Sequence, residues 1–459
     1  MKKFLLFASM CVLAVAGAQA VTDNQTYETT NDIQMKNLWI LDRVHTPDVF
    51  TKLEACNTRA RTAVMHNGVV YVARSEAKSV IIDQDTISAS VIYRFDAETG
   101  TELDPLDVTL DGKPYGVFLG VNSITVDNFG HLCVMPYISE LANEIPFYQL
   151  NAETGELTLI ATVEKGDKIA RTDYYDVMGD ITREQAECNV MAAGTNEATV
   201  YRWHADKGGS FEGGFEGDTY LDITDFYPET VTQWGYGPRL KMVLGDSDDN
   251  KYAGELFYVD GFSSAPILYS TDGSLIESFE NVASELFPEA GTNGVSEFTL
   301  DGRNFIIYSI AQYSGAGHGC QANICELNEG SLAGMKKYWQ IPADSLGNMS
   351  DGGNRVHCFN VEKSTDASGN EVAMLFNFKC YNGMGVYKIG KNLDSEPSTG
   401  LAGDVNLDGQ VNSGDIACVV NIATGKDPAG TYGTRDDVNG DGQVNSGDIA
   451  AIVAIMTGN

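Results

Sequence analysis

The sequence predicts a mainly β protein, a radial array of small sheets followed by a small α-helical module. Three observations predict it. Short apolar, β-branched or aromatic runs separated by tight turns fill residues 37–392, with almost no helical periodicity. A strand-and-turn motif recurs six times along that stretch. Near the end of the chain a twelve-residue polar loop occurs twice, 33 residues apart, and each copy runs into an apolar stretch of helical spacing.

The chain opens on Lys2 and Lys3, an apolar run from Phe4 to Ala16, and the small-residue pattern Ala18-Gln19-Ala20. This is the layout of a bacterial-type export signal over residues 1–20, with the mature chain starting at Val21. The run is shorter than the roughly 20 residues a membrane span needs, so no span is predicted. The predicted location is secreted, extracellular or attached to the cell surface.

With 64 acidic residues against 30 basic ones, the formal charge is −34. Nucleic-acid binding depends on Lys and Arg neutralising phosphates, so this balance argues against it, and against anionic membrane surfaces. It suits hard cations that take oxygen ligands. Eight cysteines follow the signal: Cys56, Cys133, Cys188, Cys320, Cys325, Cys358, Cys380 and Cys418. Their spacing is irregular and contains no Cys-x-x-Cys pair. Cys133 and Cys380 fall in strand-like runs and read as buried. Cys320 and Cys325 are the nearest candidates for a disulfide.

In the β region, Asn67-Gly68 and Asp301-Gly302 each sit between two apolar runs, the strongest local signal for a hairpin. The segment from Val91 to Gly100 (VIYRFDAETG) is echoed by Phe147 to Gly155 (FYQLNAETG). Looser copies run from Val200, Ile267, Ile324 and Val386. Each is a strand ending in a polar turn, most of them closed by glycine. Repeats at this period in an all-β chain mean small sheets stacked around an axis. The run from Ile124 to Val134 (ITVDNFGHLCV), followed by FYQLNAETGELTLI, resembles the strands of a β-propeller blade. That resemblance implies a β-propeller-like domain over residues 21–392. Six echoes imply six blades, with seven as the alternative, and Asn37–Leu41 is a candidate to pair with the last blade and close the ring.

Pro, Ser, Thr and Gly break the strand pattern after Asn392, so residues 393–402 read as a linker and residues 403–459 as a separate domain. Asp404, Asn406 and Asp408 take positions 1, 3 and 5 of a calcium loop. Gly409 turns the chain at 6, Gln410 offers its carbonyl at 7, Asn412 stands at 9 and Asp415 at 12. Asp437, Asn439, Asp441, Gln443, Asn445 and Asp448 repeat every ligand position, and GQVNSGDIA is identical in both copies. Two complete copies leave little room for coincidence and predict two Ca²⁺ ions. Short helices are expected over Ile416–Ile422 and Ile449–Met456. A duplicated EF-hand-like loop-helix with Asp at position 12 resembles a type I dockerin. The resemblance implies calcium-dependent docking onto a cohesin, with Ser413, Gly414, Ser446 and Gly447 (positions 10 and 11) as partner-contacting residues. Glycine at position 11 departs from the hydroxyl often found there.

Weaker signals were weighed against plainer readings. Asp246–Asn250 lacks the loop glycine and reads as a solvated turn. The six histidines show no metal-ligand spacing and read as structural or exposed, with His318 alone set in a glycine-rich loop. No residue can be assigned a catalytic role. Three functions therefore stand open: a glycan-directed hydrolase or lyase, or glycan binder, attached by its dockerin; a non-catalytic binding or scaffold propeller; and a calcium cap with no partner. The first places the protein in extracellular polysaccharide catabolism.

Overall fold

In a computed structural model of the chain, the described residues run from 20 onward. They exclude 24, 28, 31, 57–59, 83–84, 140–141, 166–168, 214–219, 223–232, 236, 244–254, 263, 280–281, 284–285, 288–292, 311–319, 329, 348–356, 367–368, 394–402, 407–410, 427–435, 440–442 and 458–459. Residues 1–19 of the expected signal, residues 394–402 of the expected linker, the Asp246–Asn250 turn and His318 thus lie outside the described residues. Two compact units make up the chain, Met1–Lys391 and Asn392–Asn459.

The first unit is a six-bladed β-propeller. The inner strands of blades one to six are Ala60–His66, Ser123–Val126, Thr172–Gly179, Arg239–Val243, Val295–Leu300 and His357–Thr365. From each, an antiparallel meander runs outward. The six echoes of the sequence are the six third strands, Asp85–Asp96, Glu144–Leu150, Thr199–Ala205, Ser264–Ser270, Ala322–Asn328 and Gly383–Lys391. They repeat because the third strand and its turn meet the same neighbours in every blade. At Gly100 (φ +69°) an added Cβ would sit 2.7 Å from the Trp39 ring, and at Gly155 (φ +77°) 2.4 Å from the Asp107 carbonyl oxygen. The two predicted hairpins are present, with both central residues at positive φ: Asn67 (49°) with Gly68 (72°), and Asp301 (54°) with Gly302 (72°). This is the type I′ signature that Asn-Gly and Asp-Gly favour.

The last blade is completed from the other end of the propeller sequence. Ile33–Asp42 pairs antiparallel with Gly383–Lys391, from Ile33 opposite Lys391 to Asp42 opposite Gly383, with a bulge between Asn37 and Trp39. The expected closure by Asn37–Leu41 is therefore present. Six apolar clusters occupy the six junctions between consecutive blades, including the junction of blade six with blade one. Trp39 is buried in that last junction and its indole N–H donates to the Ala97 carbonyl at 2.8 Å. The strands alternate apolar contacts to both neighbours, which is why the sequence shows β-branched and aromatic runs rather than one polar face.

Cys133 and Cys380 are buried as expected, and all eight described cysteines are free thiols. The expected Cys320–Cys325 pairing is corrected. Cys325 lies within a third strand against the Tyr308 hydroxyl at 3.6 Å, whereas Cys320 packs with Ile40 and Leu346. Cys320 precedes that strand, in a bend at positive φ (34°), and its side chain enters a different cluster from that of Cys325.

Ring closure should dominate stability. Replacing Trp39 with Ala is expected to cost about 3–5 kcal/mol in urea unfolding, because it empties the closing junction and orphans the Ala97 carbonyl. Leu159→Ala, at a half-exposed edge, should stay within about 0.5 kcal/mol. Equal effects would mean that closure does not limit stability.

Candidate functional site

In the second unit each loop ends by capping a helix. Asn412 Oδ1 accepts from the Gly414 N–H at 2.7 Å, and Asp415 Oδ2 accepts from the Asn412 N–H at 2.8 Å, a reciprocal capping box. The helices therefore start at Ser413 and Ser446, running Ser413–Ala423 and Ser446–Thr457, three residues earlier than their apolar runs suggested. Asp415 also ties the loop back to its beginning, as Oδ1 accepts from the N–H groups of Val405 (2.7 Å) and Asn406 (3.1 Å). The second copy repeats the arrangement. Asp448 accepts from Asn439 N–H (3.2 Å) and Asn445 N–H (2.8 Å), and Asn445 accepts from Gly447 N–H (2.7 Å). Val405, Val419 and Ile452 form a small buried core between the helices, joined by Val411, Val438 and Val444 from the loops. The backbone at positions 2, 3 and 9 of the first loop is thus drawn to the carboxylate at position 12. Asp404, Asp415 and Asp448 are buried, while Ser413 and Ser446 are exposed and Gly414 and Gly447 half-buried. Asp408, Gln410 and Asp441 lie outside the described residues. A Cβ at Gly447 would meet Asn439 Nδ2 at 2.6 Å, so glycine at position 11 leaves that ligand position its room.

The propeller carries a second concave site. A cavity of about 360 Å³ runs along the axis and touches all six inner strands. At one end the inner strands begin with a ring of polar residues that the sequence reading missed. Arg61 donates to Asn122 Oδ1 and Asp173 Oδ1, both at 3.1 Å. Asp173 also accepts from Arg171 at 2.8 and 2.9 Å and from the Thr195 hydroxyl at 2.6 Å. Burial alone would raise the Asp173 pKa, but these donors and the charges of Arg61 and Arg171 outweigh it and hold it below the usual range. Tyr174, from blade three, reaches the core shared by blades one and six. Its ring lies 5.9 Å from the Arg61 guanidinium and 4.7 Å from that of Arg239.

Beside Arg239 two titratable groups are held neutral. Asp260, its partner across the blade-four ladder, is fully buried. Its Oδ2 accepts from the Gly294 N–H at 2.8 Å, and Oδ1 has no hydrogen-bond partner among the described residues. Burial pushes its pKa up to about 8, with Arg239 and Lys379 opposing. His357 is also fully buried, with Nε2 at 2.5 Å from Asn377 Oδ1 and Nδ1 at 3.0 Å from the Ser309 hydroxyl. Burial, then the charge of Lys379, holds its pKa well below the usual histidine value.

Residues 402–455 match the family model described as dockerin type I domain. This segment is a type I dockerin. Dockerin type I domains bind calcium and imply a cohesin partner. The donor set fits that metal: every side-chain ligand position holds an Asp or Asn, and the buried Asp415 and Asp448 pair with no Lys or Arg among the described residues. Asp404, Asn406, Asn412 and Asp415 would hold one ion, and Asp437, Asn439, the Gln443 carbonyl, Asn445 and Asp448 another. No curated protein matches the chain. Among solved structures, a DUF4623 family protein from Bacteroides eggerthii is similar at 10% identity and TM-score 0.52, over 80% of this chain and 77% of that one. The WD40 domain of Toxoplasma gondii coronin aligns at 10% identity and TM-score 0.39, covering 81% and 90%. An α-L-arabinofuranosidase from Clostridium thermocellum aligns at 12% identity and TM-score 0.30, covering 70% and 94%. The first of these likenesses shows the fold alone.

Two side-chain trios that spacing did not reveal also come together: Asp127, His131 and Asp180, and Glu187, His204 and Asp206. The first is occupied as a turn scaffold. Asp127 accepts from the N–H groups of Phe129, His131 and Ile181 and contacts His131 Nδ1, each at 2.9 Å. Asp180 is filled by Thr182 and Gln185. His131 Nδ1 also lies 3.4 Å from Asp180 Oδ1.

Two predictions follow from these geometries. Asp448→Ala should raise the calcium needed for half-saturation of one site by at least about tenfold, and removing the cap should cost the helix about 1 kcal/mol. A calorimetric calcium titration matching wild type would contradict this. For Asp260, the folded pKa of about 8 lies above the 3.8 of a free aspartate side chain. The folded state therefore holds a proton that the unfolded state gives up, and stability falls as pH rises from about 4 to 8. Asp260→Asn keeps the acceptor for Gly294 and should flatten that fall, raising the melting temperature at pH 8 relative to wild type. A lower melting temperature at pH 8 would show that Asp260 is ionised.

Proposed function

We propose that this protein is an exported, modular component of an extracellular polysaccharide-degrading system. Its dockerin attaches it to a cohesin-bearing partner with two calcium ions bound, and its propeller presents a glycan-directed face. The observation that carries the docking half is the duplicated loop, letter-identical over GQVNSGDIA, with a buried Asp at position 12 making the same backbone contacts in both copies.

Calcium and folding are coupled in this reading. Residues 403–459 carry eight carboxylates against Lys426 and Arg435. Like charges a few ångströms apart repel by about 1 kcal/mol per pair even in water, and the cation removes that repulsion. The three-residue core of the module is small, so metal supplies much of its stability. Docking uses the exposed Ser413 and Ser446 at the helix starts, with Gly414 and Gly447 beside them. The glycan half rests on the company that dockerins keep in such systems and on the concave polar axis of the propeller. Export rests on residues 1–20.

The test is a pull-down of the full chain with a panel of cohesins in millimolar calcium and in EDTA. Capture in calcium alone is expected, lost in a Ser413→Asp/Ser446→Asp double variant whose calcium titration is unchanged. Failure with every cohesin would leave a calcium cap. Mass spectrometry of the exported protein should give an N-terminus at Val21, and an intact Met1 would refute export by cleavage.

A further inference from the structure

The formal charge of the chain is −34, yet the wall of the axial cavity carries Arg239, Lys241 and Lys363 against Asp176 and Glu297. Two of the three cations are engaged. Lys241 pairs with Asp176 at 3.1 Å, and Lys363 reaches Thr299 at 3.0 Å and Glu371 at 2.9 Å. Arg239 differs. It is stacked on Tyr174, and its guanidinium meets no hydrogen-bond acceptor or ion-pair partner among the described residues. The carboxyl beside it, Asp260, is fully buried with Oδ2 taken by the Gly294 N–H, and burial raises its pKa to about 8. Lys379, also buried, adds a second positive charge felt by Asp260 and His357. Stacking leaves the edge of a guanidinium available, and that planar fork matches a carboxylate. Asp176 and Glu297 supply acceptors on the same wall. Asp176 is fixed by Lys241 and the Met242 N–H at 2.8 Å, and Glu297 by the Tyr258 hydroxyl at 2.6 Å. Such acceptors repel a bare anion and welcome hydroxyl donors. The volume, about 360 Å³, is at the small end of the roughly 300–1,000 Å³ of ligand sites, room for about one sugar residue.

We propose that the axial cavity binds a sugar acid, with Arg239 taking the carboxylate and Asp176 and Glu297 taking hydroxyls. The choice of a sugar rests on the glycan half of the proposed function, whereas the choice of an acid rests on Arg239. Docking to cohesin is independent of both.

The experiment is isothermal calorimetry on the full chain in calcium. The probes are D-galacturonate and D-glucuronate, the uncharged D-galactose and D-glucose, inorganic phosphate, and digalacturonate. At least one uronate should bind, with its neutral counterpart and phosphate at least about tenfold weaker, the size of one charge-assisted contact. Tighter binding of digalacturonate than of the monomer would place the end of an acidic chain in the cavity; equal or weaker binding would place the free sugar acid there. Arg239→Gln should lose at least about tenfold with an unchanged melting curve. Should that variant not fold, Arg239→Lys, which keeps the charge and loses the planar fork, should still weaken the uronate and not the neutral sugar. Equal binding of acid and neutral sugar would overturn the inference and leave the glycan reading standing. Equal binding of phosphate, or no uronate binding at all, would overturn the inference outright.

Discussion

The structure depends on one antiparallel pairing, that of Ile33–Asp42 with Gly383–Lys391. Each of the other blades is a local meander, stable only because its two faces are covered by neighbours. A ring of such blades has no spare face, so the last junction must be made by the ends of the domain. The closing strand brings Trp39, Leu41, Ile33 and Met35 into two different junctions at once. It thereby fixes blade six against both five and one. The positions of the six inner strands, and with them the axial residues, follow from that closure.

Closure also explains why the polar interior is tolerated. Arg61, Asp173, Asp260 and His357 are all buried, an arrangement that costs several kcal/mol per unpaired ion. The propeller handles the cost in two ways. Around Asp173 the charges are paired, with four donors from Arg61, Arg171 and Thr195. Around Asp260 and His357 they are removed, both groups being held neutral. The two solutions share Tyr174, whose ring lies near the arginine of each.

The dockerin solves a similar problem on a smaller scale. Its Asp415 and Asp448 are buried in a module with almost no apolar core, and backbone N–H groups of the loop satisfy them. The same contacts cap the helices, so loop, helix start and metal ligands form one cooperative unit. The propeller is held by junctions between blades, the dockerin by loop-to-helix caps within each repeat, by a small apolar core between its two helices and by its cation.

That difference decides what could be read directly. The dockerin loops, the hairpins at Asn67-Gly68 and Asp301-Gly302, the six third strands and even the closing strand were legible in the sequence. Each is a local pattern, such as a ligand every second residue, a turn needing positive φ, or a strand ending in a polar turn. The helix starts at Ser413 and Ser446 were misjudged by three residues, because a capping box outweighs the apolar pattern that marks the helix body. The axial site was not legible. Arg61 meets Asp173 across 112 residues, and Arg239 meets the ring of Tyr174 from a neighbouring blade. Cys320 and Cys325 looked like partners by spacing, and the fold packs them into different clusters, one in the bend before a strand and one within it. The sequence alone determined the repeated units and the calcium loops, because those are fixed by neighbours along the chain. Which charges are paired, neutralised or left facing the cavity was decided by tertiary structure, because burial and the distances between strands and blades exist only in the folded chain.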